Sequence, residues 1–250
     1  MSTPSRWLAC AKPRPNPRLR LFCFPYAGGG GGHFYKWSEH LPATVEVCAA
    51  QLPGRGARLA EPAFTDCRPL AQAVAQGLKP HLDRPFALFG HSMGALISFE
   101  LALHLRREYG LEPAALFVSG CTAPLVRGGM SKTYDLPEPE FIEELRRLGG
   151  TPSEAFEFEE LMRLLLPTLR ADFELSQTYQ YAPAEPLSCP IVAWGGLEDK
   201  EVNQPRLEAW RGHTSSTFTL YMLPGDHFFL HSSEAALFRT LREHLQLLTS

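Results

Sequence analysis

The sequence predicts an α/β fold with a mostly parallel central sheet, and three observations carry the prediction. Short apolar runs of strand composition recur at 19–24, 45–50, 86–89, 115–119, 191–194 and 218–223. Segments of helical pattern separate most of them. The runs are also apolar at nearly every position rather than alternately, as strands covered by helices on both faces must be.

The first strand, 19–24, follows a segment that is basic and proline-rich from Lys12 onward, so residues 1–18 are expected to be a disordered lead-in. After the strand come Pro25-Tyr26-Ala27 and five glycines, Gly28 to Gly32. Such a run loses too much chain entropy on ordering to make a stable helix or strand. It reads as a loop whose backbone lies against a ligand, with a flexible linker as the plainer alternative. The second strand, 45–50, enters Leu52-Pro53-Gly54-Arg55-Gly56, a turn-rich loop; spacing assigns no role to Arg55 or Arg58. Pro69 to Leu82 has the pattern of an amphipathic helix begun by proline.

Next, Phe86-Ala87-Leu88-Phe89 runs into Gly90-His91-Ser92-Met93-Gly94 and then a helix to about Tyr109, with Arg106 and Arg107 in its last turn and Gly110 as its stop. This is strand, sharp turn, helix, with a serine at the apex. Glycines on either side let strand and helix approach, and the helix N-terminus offers backbone N–H groups to a developing oxyanion. Ser92 is therefore the candidate nucleophile.

A fourth strand at 115–119 is followed by about sixty residues, 123–183, with no strand pattern. Three helices are expected there, Glu138 to Leu148, Ser153 to Leu166 and Thr168 to Tyr181, with Pro167 breaking the last two apart. Inserted between core strands at the edge where such folds bind ligands, they predict a lid over an apolar pocket. The rhythm resumes with 191–194, the loop Gly195-Gly196-Leu197-Glu198-Asp199, helical sequence near Pro205 to Trp210, and the strand 218–223. Pro224-Gly225-Asp226-His227 and a final helix from Ser233 complete one domain, 1–250.

Composition narrows the function classes. The 44% hydrophobic and 20% charged residues are ordinary for a globular protein, and a net charge of −3 gives no reason to expect nucleic acid as a partner. No apolar run approaches membrane-span length and no apolar leader is seen, so a cytoplasmic protein without membrane contact is expected; the oligomeric state is left open, with a monomer as the default. The six cysteines lack a C-x-x-C pair and read as reduced, buried thiols rather than disulfide or metal ligands. No cofactor and no metal is expected.

A serine needs a base, and the base needs an orienting acid. In a sheet of this kind they follow the nucleophile in the order acid, histidine, on loops at strand C-termini. His227 directly follows the last strand; His231 is the alternative, while His213 and His244 lie off that edge. His91, next to Ser92 in the elbow, points its ring away from the hydroxyl. The acid belongs on the loop after 191–194, as Asp199, with Glu198 and Asp226 left open. The backbone N–H groups of Ala27 and Met93 are the expected oxyanion donors.

Six motifs in order now carry a resemblance. They are Phe24-Pro25-Tyr26-Ala27-Gly28-Gly29, Leu52-Pro53-Gly54-Arg55, Gly90-His91-Ser92-Met93-Gly94, Leu148-Gly149-Gly150-Thr151-Pro152, Leu169-Arg170-Ala171-Asp172 and His227-Phe228-Phe229-Leu230. From about Arg20 on, the chain resembles the type II thioesterases, stand-alone α/β-hydrolase editing enzymes of polyketide and nonribosomal peptide synthesis. The resemblance implies the α/β-hydrolase fold and a triad of Ser92, Asp199 and His227. It also implies a substrate held as an acyl or aminoacyl thioester on the phosphopantetheine arm of a carrier protein. The glycine run is longer than the family pattern, and Asp226 stands where glycine is more usual. A general carboxylesterase or lipase, and a catalytically silent carrier-binding module, are the competing expectations.

Overall fold

The computed structural model describes residues 5–128, 132–151 and 153–250. Its strands are β1 (Leu8–Ala9), β2 (Leu19–Phe24), β3 (Val45–Ala50), β4 (Phe86–His91), β5 (Ala115–Ser119), β6 (Ile191–Gly196) and β7 (Phe218–Leu223). The helices are α1 (Trp37–His40), α2 (Cys67–Leu78), α3 (Met93–Tyr109), α4 (Glu138–Leu148), α5 (Glu159–Gln177), α6 (Gln204–Glu208), α7 (Phe229–Ser232) and α8 (Glu234–Thr249). One sheet runs in the order β1-β3-β2-β4-β5-β6-β7, parallel throughout except for the antiparallel β1.

Successive side chains of a strand point to opposite faces, and here both sets are apolar. In β2, Phe22 and Phe24 enter one cluster with residues of α2 and α3, while Leu21 and Cys23 enter another with residues of α1, α7 and α8. That is why the strands read as continuous apolar runs. The order doubles back at β2, with β3 on one side and β4 on the other, so the C-terminal ends of β2, β4, β5, β6 and β7 bring their loops to one edge. No helix among the described residues is long and apolar enough to cross a membrane.

Several elements differ from expectation. The lead-in is not disordered where it is described: β1 pairs with β3, Gln51 donates its N–H to the Trp7 carbonyl, and the Arg58 guanidinium lies 4.0 Å above the Trp7 ring. Residues 1–4 of that segment lie outside the described residues. Trp7 and Leu8 supply apolar anchors that the surrounding basic and proline-rich composition conceals. The expectation of six reduced thiols is likewise corrected. Cys10 and Cys48 form a disulfide, because the antiparallel register of β1 on β3 sets them opposite each other, while Cys23, Cys67, Cys121 and Cys189 are free and buried. Helix α2 begins before Pro69 because Asp66 caps it, accepting from the Arg68 N–H.

Between β5 and β6 the insertion holds two long helices rather than three. Gly149, at φ +77°, ends α4 as expected, but α5 runs unbroken through Pro167. Pro167 is exposed, so both its ring and the carbonyl it leaves without a donor face water, and the helix tolerates it. Ser153 opens a short 3-10 turn instead of capping α5, which starts at Glu159; Pro152 lies outside the described residues. Phe141, Leu145, Met162, Leu166 and Leu169 form a third apolar cluster that joins α4 to α5.

Candidate active site

Ser92 sits between β4 and α3 at φ +53°, and it is the only non-glycine among the described residues with positive φ. The strain is held by its N–H, which donates to the Ser119 carbonyl at 2.8 Å, and by its own carbonyl, which starts α3 by accepting from Ala95 at 3.0 Å. Close approach explains the glycines. A side chain at Gly90 would strike the backbone of Gly94, and one at Gly94 would strike the Phe24 and Pro25 carbonyls. Ser92 is partly exposed and lines a cavity of about 330 Å³ together with Tyr26, Ala27 and His227.

Asp199 and His227 arrive from the ends of β6 and β7. His227 Nδ1 lies 2.7 Å from Asp199 Oδ2, while Asp199 Oδ1 accepts from the N–H groups of Glu201 (2.8 Å) and Val202 (3.0 Å). The Asp199 side chain is 0% exposed and that of His227 16%, so the acid is sealed while the imidazole reaches the cavity. With Nδ1–H committed to the carboxylate, Nε2 is the nitrogen left to exchange a proton. Of the alternatives, Glu198 is exposed, and Asp226 caps the turn by accepting from the Phe228 N–H at 2.8 Å. His231 turns instead toward Tyr26, whose hydroxyl lies 3.4 Å from its Nε2 and 3.2 Å from His33 Nε2.

The His91 ring is buried, and its Nδ1 is 2.9 Å from the Ser119 hydroxyl. Burial, aided by the neighbouring imidazoles of His227 and His231, holds its pKa well below the ordinary histidine value, so it stays neutral. Cys121, another cavity residue, is pushed up to about 11 by burial and is a thiol at neutral pH, not a competing nucleophile.

The glycine loop is shaped by turns and by the insertion. Gly29 donates to the Tyr26 carbonyl at 2.9 Å, Gly28 takes φ +75°, and Gly31 begins a single 3-10 turn to Phe34. The N–H groups of Ala27 and Met93 donate to no protein acceptor among the described residues. Asp172, from α5, accepts from the Gly28 N–H at 2.8 Å and from Arg55 Nη1 and Nη2 at 2.8 and 2.7 Å. Arg55 Nη1 also donates to the Gly29 carbonyl at 3.2 Å, and the Thr168 hydroxyl to the Gly54 carbonyl at 2.6 Å. One carboxylate thus ties the insertion to two loops of the core. Sequence reading assigned Asp172 no role of its own; its trace there is an acidic residue on a helix face of Leu and Ala.

The cavity is not the apolar pocket that was expected. Leu145, Leu169, Phe173 and Phe228 line part of it, but Arg127, Arg147, Arg206, Glu144 and Glu201 line the rest. These charged positions come from four separate segments, so no local pattern announces the shared wall.

A model of the thioesterase domain family matches residues 19–245. A protein named linear gramicidin dehydrogenase LgrE, from Brevibacillus parabrevis, is 47% identical over 247 residues, covering 98% of this chain and 94% of its own. Two solved structures are similar throughout. RedJ, a thioesterase from the prodiginine biosynthetic pathway of Streptomyces coelicolor, superposes with a TM-score of 0.86 at 40% identity over 93% of this chain and 94% of its own. BorB, the type II thioesterase of the borrelidin biosynthetic cluster, does so with 0.89 at 36% identity over 97% and 99%.

Proposed function

This chain belongs to the thioesterase domain family, and from that premise we propose that it hydrolyses acyl and aminoacyl thioesters held on the phosphopantetheine arm of carrier proteins of polyketide or nonribosomal peptide synthesis, clearing aberrant or stalled groups. The observation that carries the reading is a buried Asp199 holding His227 on the wall of the cavity into which the strained Ser92 projects.

In this reading Ser92 Oγ attacks the thioester carbonyl carbon while His227 Nε2 takes the hydroxyl proton. Asp199 keeps the imidazole in the right tautomer and stabilises its charged form. The carbonyl oxygen, now negative, is held by the Ala27 and Met93 N–H groups. Collapse of the tetrahedral intermediate breaks the C–S bond, and His227 returns the proton to the departing thiol. Water then adds to the acyl-serine by the same route, releasing a carboxylic acid and restoring Ser92. No metal or cofactor has a place in these steps.

Family membership and likeness to the biosynthetic thioesterases favour this reading over a general carboxylesterase or lipase. The test is hydrolysis of an acyl-carrier thioester beside the matching simple oxygen ester, with wild type and Ser92→Ala. Wild type should prefer the carrier thioester, and Ser92→Ala should lose roughly 10³-fold or more in kcat. Preference for the oxygen ester would overturn the substrate assignment, and full activity in Ser92→Ala would overturn the mechanism.

A further inference from the structure

The cavity wall carries more charge than a hydrocarbon acyl chain requires. Two of its three arginines are accounted for. Arg147 is paired with carboxylates, donating through Nε and Nη2 to Glu144 and through Nη1 to Glu201. Arg206 is exposed and donates to the Glu201 carbonyl.

Arg127 differs. It is half-buried; its Nη2 donates to the Ser176 carbonyl at 2.9 Å and its Nη1 to Cys121 Sγ at 3.8 Å, and its buried Nε has no partner among the described residues. No carboxylate pairs with it among the described residues, and none of the residues outside that set is acidic. Cys121 stands two residues beyond Ser119, whose carbonyl holds the Ser92 N–H. The guanidinium therefore lies beside the strand end that neighbours the elbow, within the same cavity as Ser92.

A guanidinium without a counter-charge on a cavity wall favours an anion there, and the second N–H of Nη1 and of Nη2, each of which has one protein acceptor, is left to match a carboxylate. We infer that Arg127 receives a carboxylate on the acyl group, so that the favoured substrates are thioesters of dicarboxylic or acidic aminoacyl groups. The inference rests on the thioesterase reading and names a substrate class within it. Two other uses of Arg127 give different results. A contact to the phosphate of the pantetheine arm, or a tether from the 3-10 turn Pro124–Val126 to α5 through Ser176, would serve every acyl group alike.

The experiment compares kcat/KM on glutaryl-carrier and pentanoyl-carrier, which have equal chain length and differ in charge, for wild type, Arg127→Gln and Arg127→Lys. Wild type should favour glutaryl by about 10-fold or more. Arg127→Gln should lower the glutaryl value by about 10- to 100-fold while leaving pentanoyl within about two-fold, and Arg127→Lys should retain part of the preference. Equal use of both substrates by wild type, or an equal loss on both in Arg127→Gln, would overturn the inference. Hydrolysis of pentanoyl-carrier by wild type in those cases would leave the thioesterase reading standing; hydrolysis of neither substrate would remove both.

Discussion

Replacing Asp172 should damage the enzyme in two separable ways. Its side chain is 2% exposed and accepts three hydrogen bonds, two from an Arg55 guanidinium that is itself 12% exposed and one from the Gly28 N–H. Asp172→Ala strands the guanidinium, at a cost of about 3–5 kcal/mol, and removes the acceptor of the Gly28 N–H. That is a large share of the 5–15 kcal/mol that holds a typical domain together. Asp172→Asn keeps acceptor capacity and should lose roughly half as much. The second effect is on chemistry. Gly28 follows Ala27 in the loop assigned the oxyanion contact, so loosening it should lower kcat, up to the roughly 10²- to 10³-fold that removal of one oxyanion donor costs. The decisive variant is Arg55→Met with Asp172→Leu. Removing both charges should recover most of the stability, measured by urea unfolding, yet leave kcat low because Gly28 still lacks its anchor. If the double variant regained wild-type kcat, or Asp172→Asn kept both its midpoint and its kcat, the positioning argument would fail.

Asp199→Asn should reduce kcat by up to about 10⁴-fold by favouring the wrong His227 tautomer, with little change in carrier binding; an unchanged kcat would point to another acid. Burial holds His213 at about 4 against an ordinary 6.5, so the unfolded chain takes up the proton first. Its contribution is complete above about pH 6.5 and falls as the pH drops toward 4, by about 2 kcal/mol at pH 5. Unfolding midpoints of wild type and His213→Asn at pH 7 and pH 5 should show the variant less stable at pH 7 but less sensitive to acid, and parallel losses would refute the assignment. Isolated without reductant and then denatured, the protein should expose four alkylatable thiols, rising to six on reduction. Breaking the cross-link, which spans a sequence separation of 38, should cost about 3–4 kcal/mol; six reactive thiols before reduction would exclude it.

Much of the architecture was legible because its causes are local. The strands at 19–24, 45–50, 115–119 and 218–223 follow from apolar runs, and α3 follows from a helix start at the elbow and a glycine stop. The elbow itself is a five-residue pattern. Where sequence reading went astray, distant contacts had overridden local rules. Pro167 breaks a helix in general, but here it faces water on a helix whose other side is anchored by Met162, Leu166 and Leu169. The lead-in looks disordered by composition, yet β3 and Arg58 give it a place to lie.

By itself, then, the sequence determined the α/β rhythm, the strained turn at Ser92 and the candidates for acid and base, because periodicity, glycine placement and chain order are properties of neighbouring residues. Only the tertiary structure decided that Asp199 rather than Glu198 meets His227, and that Asp172 grips a loop 144 residues away. It also set Arg127 without a carboxylate on the wall of the Ser92 cavity. Those outcomes depend on which side chains converge in space and which are left without partners, and no stretch of chain encodes that alone.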